Sequence, residues 1–422
     1  MSLATYRSSH DYCRQMNTAD TSHRRKAAAL FIYVAIAIDM LSFGMIFPVL
    51  PDLLIQFTGD TAKAAVVLGW FAMLWAAMQF FAAPILGSLS DRYGRRPVIL
   101  LSCFGLGIDF IIMAMAPSLT WLFIGRLISG VTSASAATAS AYIADVTPAA
   151  ERARAFGIVG AVAGVSLVVG PAIGGILGSI DVRLPFWIAA AFALMNAALG
   201  YFVLPESLPA AQRTRFSFQK ANPVGSARLL LSNSEMRHFS TMSFLSQLAN
   251  GSISAVTAIY LVHRYEWGAD KIGIVLAIFG GSIALVQGVL VGPTIRVFGE
   301  RIAMLLGLLC GAGGLVCYAI APTGMWFLAA LPLTSLCGLA SPAIQSAMTR
   351  NVSLGEQGQL QAATATLASI CGMIAPPLYA GIFAWFISLG DPSLQGAPYL
   401  LAAFIMSMAA VLALRPSVPR SN

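Results

Sequence analysis

The chain has 422 residues, of which 58% are hydrophobic and only 10% are charged, and its mean hydropathy is +0.79. This composition excludes an ordinary soluble globular protein and predicts an integral membrane protein. The net charge of +8 predicts no nucleic-acid partner, because the positions of the basic residues follow from membrane topology.

Apolar runs long enough to cross a bilayer recur along the whole chain, separated by short polar breaks. A helix needs about 20 apolar residues to span the hydrocarbon core of a membrane. We therefore predict an all-α membrane protein with twelve transmembrane helices in two pseudo-symmetric six-helix bundles. The predicted spans are 27–50, 64–88, 97–116, 119–143, 155–179, 184–204, 238–262, 269–292, 302–321, 325–346, 360–387 and 397–414.

The longest polar break, residues 205–237, is predicted as a cytoplasmic linker between the two bundles, 27–204 and 238–414. The polar residues 1–26 and 415–422 are predicted as cytoplasmic tails. Among the 25 Lys and Arg residues, those predicted on the far side of the membrane are Lys63, Arg183, Arg264 and Lys271. Apart from Arg126, which lies inside a span, the others lie on the side of both termini, and the positive-inside rule assigns that side to the cytoplasm.

A ten-residue motif occurs twice, 205 residues apart. GSLSDRYGRR at 87–96 is echoed by GPTIRVFGER at 292–301, and the same interval pairs Pro171 with Pro376. The duplication predicts two related halves that handle a substrate at their interface. Rocking of one half on the other is the expected motion.

Three ionisable residues lie well inside predicted spans: Asp39, Asp109 and Arg126. A charge near the bilayer centre costs at least about 2.5–3.5 kcal/mol, so such residues are functional candidates. An antiparallel hairpin around Pro117 puts Asp109 and Arg126 at similar depth, where they are able to pair. Asp39 is predicted as the proton carrier, with Arg126 setting its proton affinity and Asp109 sharing the relay or fixing helix 4. A static buried ion pair is the alternative.

The repeated loop and nearby charges predict a gate at the cytoplasmic face. A loop that needed only positive charge would not require glycines, an acid and arginines at fixed offsets. Asp91 is expected to accept hydrogen bonds from a helix N-terminus. Arg296 replaces Asp91 in the second copy and Arg350 stands at the repeat position of Asp145, which favours ion pairs between the halves. The predicted gate residues are Gly87, Asp91, Arg92, Gly94, Arg95, Arg96, Asp145, Glu151, Arg152 and Arg350.

Polar and aromatic side chains inside the spans predict a substrate cavity. Its candidates are Phe43, Gln79, Gln247, Asn250, Gln287 and Gln345. For any single amide, a hydrogen bond between helices is the alternative. The cysteines are predicted to be free thiols. No metal-ligand cluster, nucleophile–base motif or GxxxxGK[ST] loop occurs, so we predict no cofactor, no metal site, no enzyme and no ATP drive.

These motifs resemble the major facilitator superfamily. GSLSDRYGRRP resembles its helix 2 to helix 3 loop, LFIGRLISG its helix 4 signature and SLVVGPAIGG the helix 5 signature of drug/proton antiporters, with Ser166 in place of the usual leading glycine. IDMLSFGMIFPVLP and AYIADVTPAAERARAFG narrow the resemblance to bacterial tetracycline efflux pumps and their relatives.

The resemblance implies an antiporter in the bacterial inner membrane that exports an amphiphilic small molecule in exchange for protons, and we expect a monomer in the lipid bilayer. It implies that Asp91 latches the halves together when the pump faces outward, with Arg92 and Arg152 or Arg154 as basic partners. The antiporter motif on helix 5 would comprise Gly170, Pro171, Gly174 and Gly175. These residues are expected to give tight packing, a seal against proton leak, or both.

The second half departs from the tetracycline pumps. Those pumps carry an acid in helix 9 and a histidine in helix 8, where this chain has Gly311 and Ile283. Proton coupling is therefore expected to rest on the first half. The substrate alternatives are a tetracycline-like drug, with or without a divalent cation, another amphiphilic antibiotic, and an endogenous metabolite such as a siderophore. Nutrient uptake and a non-transporting receptor are less favoured.

Overall fold

The computed structural model describes residues 30–132, 136–148, 151–209, 211, 213–214, 226–353 and 356–414. The predicted tails, 1–26 and 415–422, lie outside the described residues, as does much of the linker 205–237. The regular elements in the described ranges are all helical. The five described cysteines have free thiols, as predicted.

The α-helices are α1 (Leu30–Ile46), α2 (Leu50–Thr58), α3 (Thr61–Tyr93), α4 (Arg95–Met115), α5 (Leu119–Thr132), α6 (Ala136–Val146), α7 (Arg152–Ile180), α8 (Leu184–Val203), α9 (Ser234–Tyr265), α10 (Ala269–Leu285), α11 (Val291–Ile320), α12 (Gly324–Ser335), α13 (Ala340–Arg350), α14 (Gln357–Ser388) and α15 (Ala397–Leu414). A π-helical turn at Val286–Leu290 joins α10 to α11, and a 3₁₀ turn at Leu336–Leu339 joins α12 to α13.

The predicted multi-pass helical fold is confirmed, but the count of twelve spans remains a prediction. Among the described residues, nine helical stretches are long and apolar enough to cross a membrane, and the bent pair α1–α2 makes ten. The difference arises at two places. The predicted span 119–143 consists of the shorter helices α5 and α6, and the spans 269–292 and 302–321 lie in one helical run, Ala269–Ile320.

That run contains a sharp break at Gly299, which occupies the repeat position of Gly94. Gly94 has φ 105° and ψ 161°, and Gly299 has φ 80° and ψ 164°. Residues with a side chain rarely adopt this backbone conformation, which accounts for glycine in both copies. The duplication seen in the sequence therefore extends to the backbone.

The arginines two residues beyond these glycines also play matching roles. Arg96 donates to the carbonyl of Tyr201 at 2.5 Å, near the end of α8. Arg301 donates to the carbonyls of Ala413 and Leu414, at the end of α15. Each arginine thus satisfies carbonyls that a helix end leaves without partners within its own half.

Helices of the two halves are in close contact on the side of the membrane away from the linker. A Cβ atom added at Gly69 would lie 2.9 Å from the Pro376 carbonyl, and one at Gly175 would lie 2.4 Å from the Ala269 carbonyl. Nearer the linker, Gly164 on α7 has open space around it. We call the face that carries residues 205–209 and Asp91 the linker face.

Candidate transport site

A cavity lies between the two halves, in three connected compartments with volumes of about 350, 170 and 350 Å³. Ser254 on α9 lines all three compartments. Sites for small molecules commonly enclose about 300–1,000 Å³. The cavity is therefore large enough for a drug-sized ligand.

Aromatic rings from α1 and α3 form the first-half wall of this cavity. Phe43, predicted from the sequence, stacks on Trp75 with ring centroids 5.0 Å apart and an interplanar angle of 25°. Phe47 and Phe71 line the same compartment. The spacing of 71 to 75 puts two rings on one side of α3, and Phe47 follows directly after the end of α1.

Arg126 on α5 is the one charged residue among the described residues that line the cavity. Its guanidinium carbon lies 4.5 Å from the centroid of the Phe71 ring, and only 6% of the residue is exposed. A guanidinium over an aromatic face gains electrostatic attraction in an apolar setting. The cavity therefore has one positive pole on an otherwise apolar wall.

Asp109 on α4 lies directly behind this wall and is fully buried. Gly125 leaves room for it, because a Cβ atom there would lie 2.7 Å from the Asp109 Oδ1 atom. Arg126 and Ser129 are its polar neighbours, yet neither carboxylate oxygen accepts a hydrogen bond. The predicted ion pair between Asp109 and Arg126 is therefore not formed in this conformation, because the guanidinium lies over Phe71 instead.

Asp39 on α1 is half-buried, and its Oδ1 atom is buried without a hydrogen-bond partner. Its neighbour across the helix interface is Cys103 on α4. Asp39 is not among the described residues that line the cavity, and the effect of Arg126 on its proton affinity stays a prediction. The three predicted proton-coupling residues all belong to the first half, but only Arg126 reaches the cavity.

The second-half wall combines apolar side chains with a patch of polar ones, and three of the predicted amides, Gln247, Asn250 and Gln287, line it. Sequence reasoning missed the hydroxyl groups beside them, which belong to Ser243, Ser246, Ser254 and Ser341. Polar residues at 243, 246, 247, 250 and 254 follow the helical repeat, so a stripe along α9 was the available signal.

Two predicted cavity residues lie elsewhere. Gln79 on α3 and Gln345 on α13 are half-buried and are not among the lining residues. The Nε2 atom of Gln345 is buried without a partner beside Ile344, which does line the cavity.

At the linker face, Asp91 pairs with Arg95 at 2.5 Å, and Arg95 also contacts Asp145 at 3.3 Å. Arg92 instead lies over the ring of Tyr93, so the basic partners predicted for Asp91 are not its partners in this conformation. Arg152 donates to the Thr147 carbonyl. The latch between the halves stays a prediction.

Glu206 takes the helix-capping role that was expected of Asp91. Its carboxylate accepts hydrogen bonds from the backbone N–H groups of Arg95 at 2.8 Å and Arg96 at 3.3 Å, at the start of α4. A Cβ atom at Gly94 would lie 2.2 Å from this carboxylate. Gly94 is therefore required both by its backbone conformation and by the cap.

The second half repeats the Arg95–Asp145 ion pair with reversed charge. Glu300 stands at the repeat position of Arg95, Arg350 stands at that of Asp145, and the two form an ion pair. Both pairs lie within a half, so the predicted pairs between halves are not formed in this conformation. The two halves therefore have an ion pair at the same repeat positions on the linker face, with the charges exchanged.

Two glutamates at the repeat positions before α7 and α14 behave as surface residues. Glu151 is exposed at the start of α7. Glu356 is also exposed, and hydrogen bonds from the Ser353 hydroxyl and backbone N–H lower the pKa of its carboxyl group.

The helix 5 motif packs α7 against one helix from each half. Cβ atoms at Gly170 and Gly174 would lie 2.9 Å from the Leu41 carbonyl and 2.0 Å from the Met45 carbonyl of α1. Gly175 faces α10 of the second half, and Pro171 lines the cavity beside it. The motif thus forms a junction of three helices with no room for larger side chains.

The two departures in the second half have different surroundings. Ile283 lines the cavity and contributes an apolar surface. Gly311 is buried on α11, where a Cβ atom would lie 2.5 Å from the Met406 sulfur and 2.8 Å from the Cys337 Cβ atom. The position is closed to any side chain, including a carboxylate.

The chain forms two helical bundles, related by duplication, around a central cavity. One guanidinium faces that cavity, and buried carboxyl groups lie behind it. These features are those of a secondary membrane transporter. The chain belongs to the Major Facilitator Superfamily, whose sequence profile matches residues 32–376. This family assignment confirms the prediction of a transporter rather than an enzyme.

Several tetracycline resistance proteins are similar to this chain over most of its length. It is 38% identical to the class C protein of Escherichia coli, over 85% of this chain and 90% of that protein. It is 32% identical to the class H protein of Pasteurella multocida, over 91% of this chain and 95% of that protein.

A solved structure supports the fold. A bacterial homologue of the human lysosomal transporter Spinster superposes with a TM-score of 0.74 at 17% identity, covering 92% of this chain and 96% of that chain. An identity this low supports the shared fold alone.

Proposed function

We propose that this protein is a proton-coupled transporter that exports an amphiphilic drug by alternating access, with a tetracycline as the first candidate. The observation that carries the proposal is the single guanidinium of Arg126 in an aromatic cavity, with the buried carboxyl group of Asp109 behind it. The names of the similar proteins favour a drug exporter over a siderophore exporter, a nutrient importer or a receptor.

Protons and substrate would be handled at separate but adjacent places. Asp109 and Asp39 lie behind the first-half wall, so a bound substrate does not touch them directly in this conformation. Arg126 borders both the cavity and Asp109. When Asp109 is ionised, its charge would attract the Arg126 guanidinium away from the substrate. When Asp109 is protonated, the guanidinium would move toward the cavity and promote release of the substrate.

The proposed setting is the bacterial inner membrane, with a monomer whose termini and linker face lie in the cytoplasm. The basic residues concentrated on that side support this orientation. No separate cofactor is proposed, since the proton gradient would supply the energy.

Expression in a bacterial host that lacks its own drug pumps tests the function directly. We expect wild-type protein to raise resistance to at least one tetracycline or similar amphiphile, and Asp39→Asn to remove that resistance at equal membrane expression. A panel of amphiphilic drugs to which wild-type and variant cells are equally sensitive would contradict the proposal.

A further inference from the structure

The second-half wall of the cavity carries a patch of polar groups among apolar side chains, and none of its described residues is charged. Hydroxyl and carboxamide groups from three helical segments form this patch: Ser243, Gln247, Asn250, Ser254, Gln287 and Ser341. Within this wall, the Gln247 amide donates to the Ser243 hydroxyl at 2.9 Å, and the Cys337 thiol donates to the side-chain Oδ1 atom of Asn250 at 3.3 Å. These contacts, with the hydrogen bond from the Asn250 amide to the Ser246 backbone carbonyl, fix the orientations of the Gln247 and Asn250 side chains.

Two irregular helical turns meet at this wall. Gln287 lies in the π turn, and Gly338 lies in the 3₁₀ turn that faces it. A Cβ atom at Gly338 would lie 3.5 Å from the Gln287 Cγ atom, which is an ordinary van der Waals distance, so the two turns pack directly against each other. Single π turns in helices are frequent at functional sites, because they change the direction in which side chains point.

The wall is poorly suited to a bound metal chelate. A protein-bound Mg²⁺ ion usually keeps several water ligands and is held through one or two carboxylate groups. No Asp, Glu or His is among the described residues that line the cavity, and Gly311 behind the wall is closed to a larger residue. A positively charged chelate would meet neutral dipoles on one side and the Arg126 guanidinium on the other.

We propose that this wall binds the uncharged hydroxyl, keto or amide edge of a metal-free amphiphile, whose rings pack against Phe43 and Trp75. This inference rests on the proposed export function and names the form of substrate that the site accepts. Neutral donors and acceptors recognise such an edge by direct hydrogen bonds. Binding and transport are accordingly independent of divalent cations.

The test is equilibrium dialysis of tetracycline against the purified protein in detergent, with EDTA or with excess Mg²⁺. The expected affinity is the same in both buffers, and Gln247→Ala with Ser254→Ala weakens it about tenfold through the loss of two hydrogen bonds. Binding that requires Mg²⁺, or no binding in either buffer, overturns the inference.

An isosteric pair of variants sharpens the test. Gln287→Glu places a carboxylate in the wall, and we expect Mg²⁺ to raise its tetracycline affinity about tenfold. Gln56→Glu, at an exposed position on α2, is the matched control with no expected Mg²⁺ effect. If Gln287→Glu gains no Mg²⁺ dependence, Gln287 does not contact the ligand and its place in the wall is refuted.

Flux measurements separate this inference from the export function. If everted vesicles take up no tetracycline although the purified protein binds it in EDTA, the result contradicts export and supports metal-free binding at the second-half wall. If vesicles transport tetracycline only with Mg²⁺, the result supports export and overturns metal-free binding at the second-half wall.

Discussion

At the residue scale, Arg126 connects the cavity with the buried carboxyl group of Asp109. Its contact with Phe71 holds the guanidinium on the cavity side, while Asp109 lies behind without a hydrogen-bond partner. A buried carboxyl group is costly to ionise without a compensating charge nearby. This arrangement allows protonation of Asp109 to change where the guanidinium points.

Replacement of Arg126 tests that connection. Arg126→Gln removes the counter-charge of Asp109, so we expect gradient-driven transport to fall by about tenfold or more, whereas Arg126→Lys retains part of it. Drug accumulation in everted vesicles measures the effect. Arg228→Gln, at an exposed position on the linker face, is the control. Full transport in Arg126→Gln would refute the proposed role.

Asp39 is predicted to carry the proton. Its replacement should therefore affect transport driven by a pH gradient but not exchange of drug, which needs no net proton movement. Asp39→Asn removes the titratable group, so we expect uptake driven by a pH gradient to be lost while exchange of labelled for unlabelled drug persists. Both rates are measured in the same proteoliposomes. Asp52→Asn on α2 is the matched control. A variant at Asp39 with unchanged gradient-driven uptake would remove it from the coupling mechanism.

At the scale of elements, the helix 5 motif fixes how closely α7 approaches α1. Gly174→Ala puts a methyl group against the Met45 carbonyl, and we expect a destabilisation of about 1–3 kcal/mol with a lower Tm. Gly164→Ala on the same helix meets open space, so its Tm should stay the same or rise. Thermal unfolding in detergent compares them. Equal Tm values for the two variants would contradict the packing account.

The reversed ion pairs at the linker face provide a test of the predicted gate. If the halves close there, Arg95 approaches Glu300 and Asp145 approaches Arg350, which are opposite charges. Exchanging charge in one half only, by Arg95→Glu and Asp145→Arg, preserves the pair between these two positions but removes the Asp91–Arg95 pair, a loss that the completed exchange below shares and therefore controls for. It would nevertheless place like charges opposite each other on closure, so we expect transport to fall about tenfold.

Completing the exchange supplies the control. Adding Glu300→Arg and Arg350→Asp restores opposite charges between the halves, and we expect most of the transport rate to return. Vesicle uptake at low ionic strength measures both variants, because salt screens exposed charges. If the variant with one half exchanged is fully active, the charges do not act between the halves.

At the scale of the whole molecule, the duplication and the membrane fold were predictable because they depend on local patterns. Apolar runs predict helices, and the repeat predicts the shared backbone conformation of Gly94 and Gly299. The described helices differ from the predicted spans at α5, where an apolar helix is short, and at Gly299, where two helices join with little polar sequence between them.

The details of the site depend on contacts between distant residues, which no local pattern reports. Glu206 caps α4 from 111 residues away in the sequence. The orientation of Arg126 over Phe71, rather than toward Asp109, depends on how α3 packs against α5. The reversed polarity of Arg95–Asp145 and Glu300–Arg350 was visible as an exchange of sign, but the structure was needed to place both pairs within the halves.

The central claim is exchange of drug for protons, and simultaneous measurement of both fluxes tests it most directly. Everted vesicles with an acidic interior would be given tetracycline while drug uptake and internal pH are recorded together. We predict that drug enters as the interior becomes more alkaline, and that Asp39→Asn abolishes both changes. Drug entry without movement of protons, or with protons moving in the same direction, would contradict the account.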